Sequence, residues 1–179
     1  MQENLSTTRK LEIIGWEFVS FWGTILAGFL FLILAFVLDI NFGLIATLNL
    51  VLITFVSNFY KLIRWKARPD NPEKIRPEKP FPMWHFWKYL NPKNSIAMFK
   101  YVDSGSFPSI HSARSFNFAW LFAYYFGPIW FAPLLILAAL IGVSRVVKLR
   151  HFLTDVFGGL VLGILMGILS MPWIDKLVG

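Results

Sequence analysis

In "SRVVKLRHFLTD", residues 144–155, a histidine and an aspartate stand four residues apart, His151 and Asp155. On a helix that spacing puts both on one face, a turn apart. A carboxylate hydrogen-bonded to one imidazole nitrogen fixes the tautomer and raises the basicity of the other. His151 is thereby prepared as a nucleophile toward phosphorus, with a covalent phosphohistidine as the product of attack. A second histidine, His111, lies in "SFPSIHSARS", residues 106–115. It is available to protonate a leaving oxygen and then to take a proton from the attacking water. Cations come from Arg145 and from "KLIRWKARP", residues 61–69, which supplies Lys61 and Arg68. Arginine's planar fork suits phosphate oxygens, and lysine acts as a point charge. Ser109 and the main-chain N–H groups at a helix start complete an anion cradle. Such donors stabilise the negative equatorial oxygens of a phosphoryl group in flight.

Each residue alone has a plainer reading. A single histidine at a membrane surface is ordinarily just wet, a single Lys or Arg there snorkels, and Asp155 could simply cap its helix. The joint pattern, from three separate segments, favours a site. Two-metal hydrolysis needs a cluster of carboxylate or imidazole ligands. Beyond Asp155 the nearby Asp70, Asp103 and loop glutamates have no ligand-like spacing, so neither a metal nor another cofactor is expected. The chain has no cysteine, which removes disulfides and thiol chemistry.

The elements that must position these residues are apolar helices. Of the 179 residues, 56% are hydrophobic and nineteen are Phe. Residues 18–38, 41–60, 115–144 and 156–174 carry no charge, and a spanning helix needs about 20 such residues. The run 115–144 is too long for one ordinary span. Gly127 and Pro128 near its middle, with Pro133 beyond, predict a tight hairpin of two helices; one long tilted helix is the rival. The expectation is an all-α integral membrane bundle in a single domain, 1–179, with spans at about 18–40, 42–63, 111–127, 129–148 and 152–174. The first apolar run exceeds a signal peptide's core and is followed by no small-residue cleavage site, so it reads as a retained anchor. With five spans, all three motif stretches reach one membrane face; a single helix over 115–144 would put Ser144 on the other.

Eleven of the seventeen Lys and Arg lie in residues 61–114. The positive-inside rule would place that face in the cytoplasm, whereas a functional reading makes it a basin for anionic head groups. The polar connection 64–108 is rich in proline and irregular. Within it "FPMWHFWKYL", residues 81–90, predicts a short interfacial helix or aromatic belt, as an anchor first and a lid for a lipid tail second; His85 reads as facing the interface. Gly159, Gly163 and Gly167 recur every four residues and predict close helix packing in preference to a tail groove.

The three stretches resemble the signature of the type-2 phosphatidic acid phosphatase family, which also includes vanadium haloperoxidases. The family pattern is K-x6-R-P, then P-S-G-H, then S-R-x5-H-x3-D. Lys61, Arg68 and Pro69 match the first motif. Pro108, Ser109 and His111 match the second, with Ile110 in place of glycine. Ser144, Arg145, His151 and Asp155 match the third. The resemblance implies His151 as nucleophile, Asp155 as its orienting partner and His111 as general acid. It implies phosphate binding by Lys61, Arg68, Ser109 and Arg145, with the main chain of Ile110 beside them. A β-branched residue tolerates positive φ poorly, so the Ile110 loop either uses negative φ or shapes the pocket differently.

Most family members have six spans, and this chain lacks one before the first motif; residues 3–17 read as lying along the surface. Its size is similar to compact bacterial members: lipid A 1-phosphatases, undecaprenyl pyrophosphate phosphatases and phosphatidylglycerophosphate phosphatases. The resemblance implies a multi-pass protein of the bacterial inner membrane with its site toward the periplasm or outside, against the charge count. The expected partners are a lipid phosphate or pyrophosphate substrate and the bilayer, with no nucleic acid and no required protein partner. Metal-independent hydrolysis through phosphohistidine is the leading reading. Transfer of the phosphoryl group to a second lipid, and a catalytically silent anionic-lipid carrier, are the alternatives.

Overall fold

The computed structural model describes residues 25–70 and 101–178, together with Gly15, Trp16 and Val19. The expected interfacial helix at 81–90 and the beginning of the expected first span lie outside the described residues. Within them the chain is helical and has no strand. In order it forms α1 (Ile25–Leu38), α2 (Ile40–Ile63), α3 (Ile110–Phe126), a 3-10 turn (Pro128–Trp130), α4 (Phe131–Val147) and α5 (Leu153–Leu177). Helices occupy all five stretches in which spans were expected. Ile40–Ile63, Pro128–Val147 and Leu153–Leu177 are each long and apolar enough to cross a membrane. The architecture is an all-α membrane bundle.

The breaks follow local chemistry. One residue, Asp39, separates α1 from α2; it is extended (φ −162°, ψ 138°) and its carboxylate accepts the Phe42 N–H at 2.9 Å, a side-chain N-cap. Gly127 ends α3 with φ 105°, a conformation that costs little only without a Cβ. Pro128 then opens the 3-10 turn, and Pro133 falls in the first turn of α4, where its missing N–H has no intrahelical partner to lose. The charge-free run 115–144 is therefore a two-helix hairpin, and the single tilted helix is excluded.

α3 lies at the centre. The glycine stripe of α5 is cut to its backbone: a Cβ on Gly159 would come within 2.5 Å of the Ser109 carbonyl oxygen, and one on Gly163 would strike the Ala113 carbonyl. The stripe is a contact surface between the two helices, not a tail groove. Asn117 Nδ2 reinforces it by donating to the Gly163 carbonyl at 3.2 Å. A core of Leu32, Ala35, Phe42, Phe118, Phe122 and Ile174 joins α1, α2, α3 and α5. Outward, Ile33, Val37, Leu48, Phe55, Leu153 and Phe157 are exposed, which in a bilayer is their preferred solvent. Inside the bundle Ser170 Oγ donates to Asn49 Oδ1 at 2.9 Å, tying α5 to α2.

Candidate active site

The helix directions bring Lys61 at the end of α2, His111 at the start of α3, Arg145 at the end of α4 and Asp155 at the start of α5 to one end of the bundle. The three motif stretches are joined there pairwise through their main chains. Ser106 N–H donates to the Lys66 carbonyl at 2.8 Å, Asp70 N–H to the Leu149 carbonyl at 3.0 Å, and Ser109 N–H to the Asp155 carbonyl at 3.0 Å. Side chains add Trp65 Nε1 to Ser104 Oγ at 2.9 Å and an Arg150 to Asp70 ion pair at 3.1 Å.

The α4–α5 connection aims His151. The Arg145 carbonyl accepts the N–H groups of both Arg150, at 3.0 Å, and His151, at 3.1 Å, and Leu149 takes a left-handed φ of 54° to make the turn. His151 is 2% exposed and Asp155 fully buried. The His151 Nδ1 to Asp155 Oδ2 separation is 3.8 Å, beyond hydrogen-bond distance, and Nδ1 has no other partner. Asp155 is instead held by four donors: Lys66 Nζ at 2.6 Å, Ser106 Oγ, Thr154 Oγ1 at 3.5 Å and the Phe152 N–H at 2.8 Å. The last bond makes Asp155 a cap of its own helix, the plain reading of this residue. Burial holds the His151 imidazole below its ordinary pKa, and the charges of Arg68, Arg145 and Lys61 act in the same direction, partly opposed by Asp155.

Lys66 and Ser106 were not among the residues singled out from the sequence. Lys66 falls inside the variable part of the first motif, one cation among several, and Ser106 precedes the second. Their use depends on the turn that places Ser106 N–H on the Lys66 carbonyl, which no spacing rule encodes. Lys66 Nζ also stands 4.6 Å from the centre of the Phe152 ring, a cation–π geometry that steadies it over the site.

The expected phosphate ligands are gathered but not equivalent. Lys61 is 2% exposed, its stem running past Gly105. Arg68 reaches Asp103 at 3.4 Å, and its Nε is buried without a partner. His111, partly buried, lies within electrostatic reach of Arg145, His151, Arg114 and Lys61. Ser109 is fully buried and caps α3, its Oγ accepting from Ser112 Oγ at 3.1 Å and from Ser112 N–H at 3.4 Å. With the Ser109 N–H committed to Asp155, the first-turn N–H groups of Ile110 and His111 are those the helix leaves open. Ile110 begins α3 with negative φ, since Leu149 alone among described non-glycine residues is positive. The glycine-to-isoleucine change is thus compatible with a helical start. Among the described residues no three His, Asp or Glu side chains form a metal-binding group.

One turn in from the site, at Ser115 on α3 and Ile141 on α4, begins an apolar crevice of 210 Å³ between α1, α3 and α4, reaching Phe126 and Trp130 at the other end. Comparisons with known proteins agree with this architecture. A family model described as the PAP2 superfamily matches residues 41–178, which contain all three motifs. The crystal structure of Aquifex aeolicus LpxE is similar, with a TM-score of 0.68 at 24% identity over 90% of this chain and 86% of that one. No curated protein sequence matches significantly.

Proposed function

This chain belongs to the PAP2 superfamily and is a membrane phosphatase, and from that premise we propose that it cleaves a phosphate monoester or pyrophosphate on a membrane lipid through a phosphohistidine, without a metal. The observation that supports this is the main-chain joining of three segments around His151 and Asp155, with Lys61, Arg68 and Arg145 around them.

In this reading the phosphate enters among those cations and the N–H groups of Ile110 and His111, with Ser109 beneath. His151 Nε2 attacks phosphorus while Nδ1–H is turned toward Asp155. The bond from phosphorus to the lipid oxygen breaks, and His111 gives that oxygen its proton. The approaching dianion favours the protonated form of His111 needed for this step. His111, now neutral, takes a proton from water as that water attacks the phosphohistidine; the P–N bond breaks and inorganic phosphate leaves. A tightening of the 3.8 Å gap to Asp155 on substrate binding would complete the His–Asp pair. The crevice between α1, α3 and α4 is the proposed seat of an acyl or prenyl chain entering from the side. The candidate substrates are lipid A 1-phosphate, undecaprenyl pyrophosphate and phosphatidylglycerophosphate. The proposed setting is the bacterial inner membrane, with the site toward the periplasm or outside.

The test is phosphate release from dioctanoyl phosphatidic acid in detergent with chelator present. Wild type is expected to be active and inhibited by vanadate, whose trigonal-bipyramidal form mimics the transferring phosphoryl. His151→Ala is expected to lose on the order of 10⁴-fold or more in kcat, as when a covalent nucleophile is removed. Full activity in His151→Ala, or an absolute need for magnesium, would overturn the reading.

A further inference from the structure

Arg114 has no part in the chemistry above. It lies on α3 three residues past His111, and it reaches across to α2, where Nη2 donates to Thr54 Oγ1 at 3.0 Å. Thr54 shares a face of α2 with Lys61 and stands two turns further into the bundle, about 10 Å along the axis. Arg114 Nε is buried without a partner, and among the described residues no carboxylate pairs with this guanidinium. A cation at that depth, held by one neutral hydroxyl, carries a large desolvation cost, and intramembrane charges of this kind mark ligand paths.

The same side chain lines a cavity of 400 Å³ with Gly28 and Phe29 of α1 and Leu50, Val51, Thr54 and Phe55 of α2. Phe29, Val51 and Phe55 are 58%, 58% and 64% exposed, so the cavity opens sideways, where lipid would be. Its link to the site is Arg114 itself, which stands on α3 less than one turn past His111, about 4.5 Å along the axis. The cavity and the apolar crevice described earlier flank α1 on opposite sides, and only this one holds a cation.

We propose that the Arg114 cavity binds a second phosphate of the substrate, on the lipid side of the phosphate that is cleaved. The proposal rests on the phosphatase reading above and narrows its substrate to lipids that carry two phosphates in succession. The guanidinium, steadied by the Thr54 hydroxyl whose own proton goes to the Leu50 carbonyl at 2.7 Å, supplies hydrogen bonds to non-reacting phosphate oxygens, and the apolar rim receives the start of the chain. An ester carbonyl in that place would leave the guanidinium charge uncompensated; a phosphate neutralises it. Arg114 touches substrate away from the reacting atoms, so it sets binding and specificity.

The experiment measures initial phosphate release by the full chain in detergent from two lipids with one backbone, dioctanoylglycerol diphosphate and dioctanoyl phosphatidic acid. Wild type is expected to prefer the diphosphate by about 10-fold to 100-fold in kcat/KM, the worth of a hydrogen bond to a charged group. Arg114→Gln is expected to remove that preference by raising KM for the diphosphate, leaving the monophosphate within about threefold of wild type. Arg114→Lys, which keeps the charge, is expected to retain part of it. Equal use of both lipids by wild type overturns the proposal whatever the variants do. A preference that survives in Arg114→Gln, or an equal loss on both lipids there with Arg114→Lys normal, overturns it too. Release from neither lipid by wild type overturns the phosphatase reading itself, and this proposal with it.

Discussion

The two ends of this bundle are built from the same helices by different means. At one end, non-helical segments meet through main-chain hydrogen bonds, and charges are held by other charges: Lys66 on the buried Asp155, Arg150 on Asp70 at the surface. At the other, aromatic rings pack directly, Phe31 on Phe118 at 5.4 Å and Phe42 on Phe122 at 5.3 Å between centroids. The polar links there are few, such as Tyr124 OH donating to Asp175 at 2.6 Å and Asn41 donating to the Leu177 carbonyl at 2.9 Å. The contrast teaches that packing and chemistry occupy different parts of the molecule, so damage to one should leave the other largely intact.

The comparison can be broken most forcefully at Asp155. Asp155→Asn keeps the shape but removes the charge proposed to orient His151, and should lower kcat roughly 10²-fold to 10⁴-fold. Lys66→Met is a weaker form of the same perturbation, since Ser106 and the Phe152 N–H still hold the carboxylate; a loss of about 10-fold to 100-fold is expected, typical for a group that supports a reacting one. Wild-type turnover in Asp155→Asn would refute the orienting role. At the aromatic end Phe42→Ala, outside the crevice, should do the reverse. It removes a buried ring at a cost of about 3–5 kcal/mol, read as a lower melting temperature in detergent, with kcat at low temperature unchanged. A Phe42→Ala enzyme that keeps its stability but loses turnover would erase the division between the ends.

The smallest expected effect is a displacement along the pH axis. In the proposed mechanism the neutral form of His151 is the nucleophile, and its pKa is pushed below 6.5 by burial and by Arg68, Arg145 and Lys61. Activity is lost as pH falls through that value, so the acid limb of kcat/KM assigned to His151 should lie below 6.5. Removing one cation in Arg68→Gln should move the limb upward, besides weakening binding. An acid limb above 6.5 in wild type would contradict the burial of this imidazole among cations.

Much of this was legible in the chain because charge inside an apolar helix is expensive and therefore conspicuous. Lys61, His111, Arg145 and His151 stand at the borders of uncharged runs, and counting spans brings them to one face. The hairpin was legible because Gly127 and Pro128 interrupt a run longer than a bilayer needs. The partners of Asp155 were not. Spacing brings His151 toward it, yet the nearest donors come from residues 66 and 106, whose approach depends on how two connections fold together. Arg114 was hidden for the opposite reason: three residues from His111 it looks like one more motif cation, and only the fold turns it toward Thr54. The glycine stripe was read correctly as contact, since its period matches one helix face, while the helix it meets became known only from the structure.

The left-handed glycine between α3 and α4 reaches further than its own corner. His111 and Arg145 sit on the two arms that Gly127 and the 3-10 turn connect, near their opposite tips, so the placing of Arg145 beside His111 is set by the count of residues at the far end of the bundle. One residue inserted at that corner would slide Arg145 about 1.5 Å along its helix and swing it about 100° around the axis. The end that carries the candidate site is thus gauged by a hinge pin it never touches.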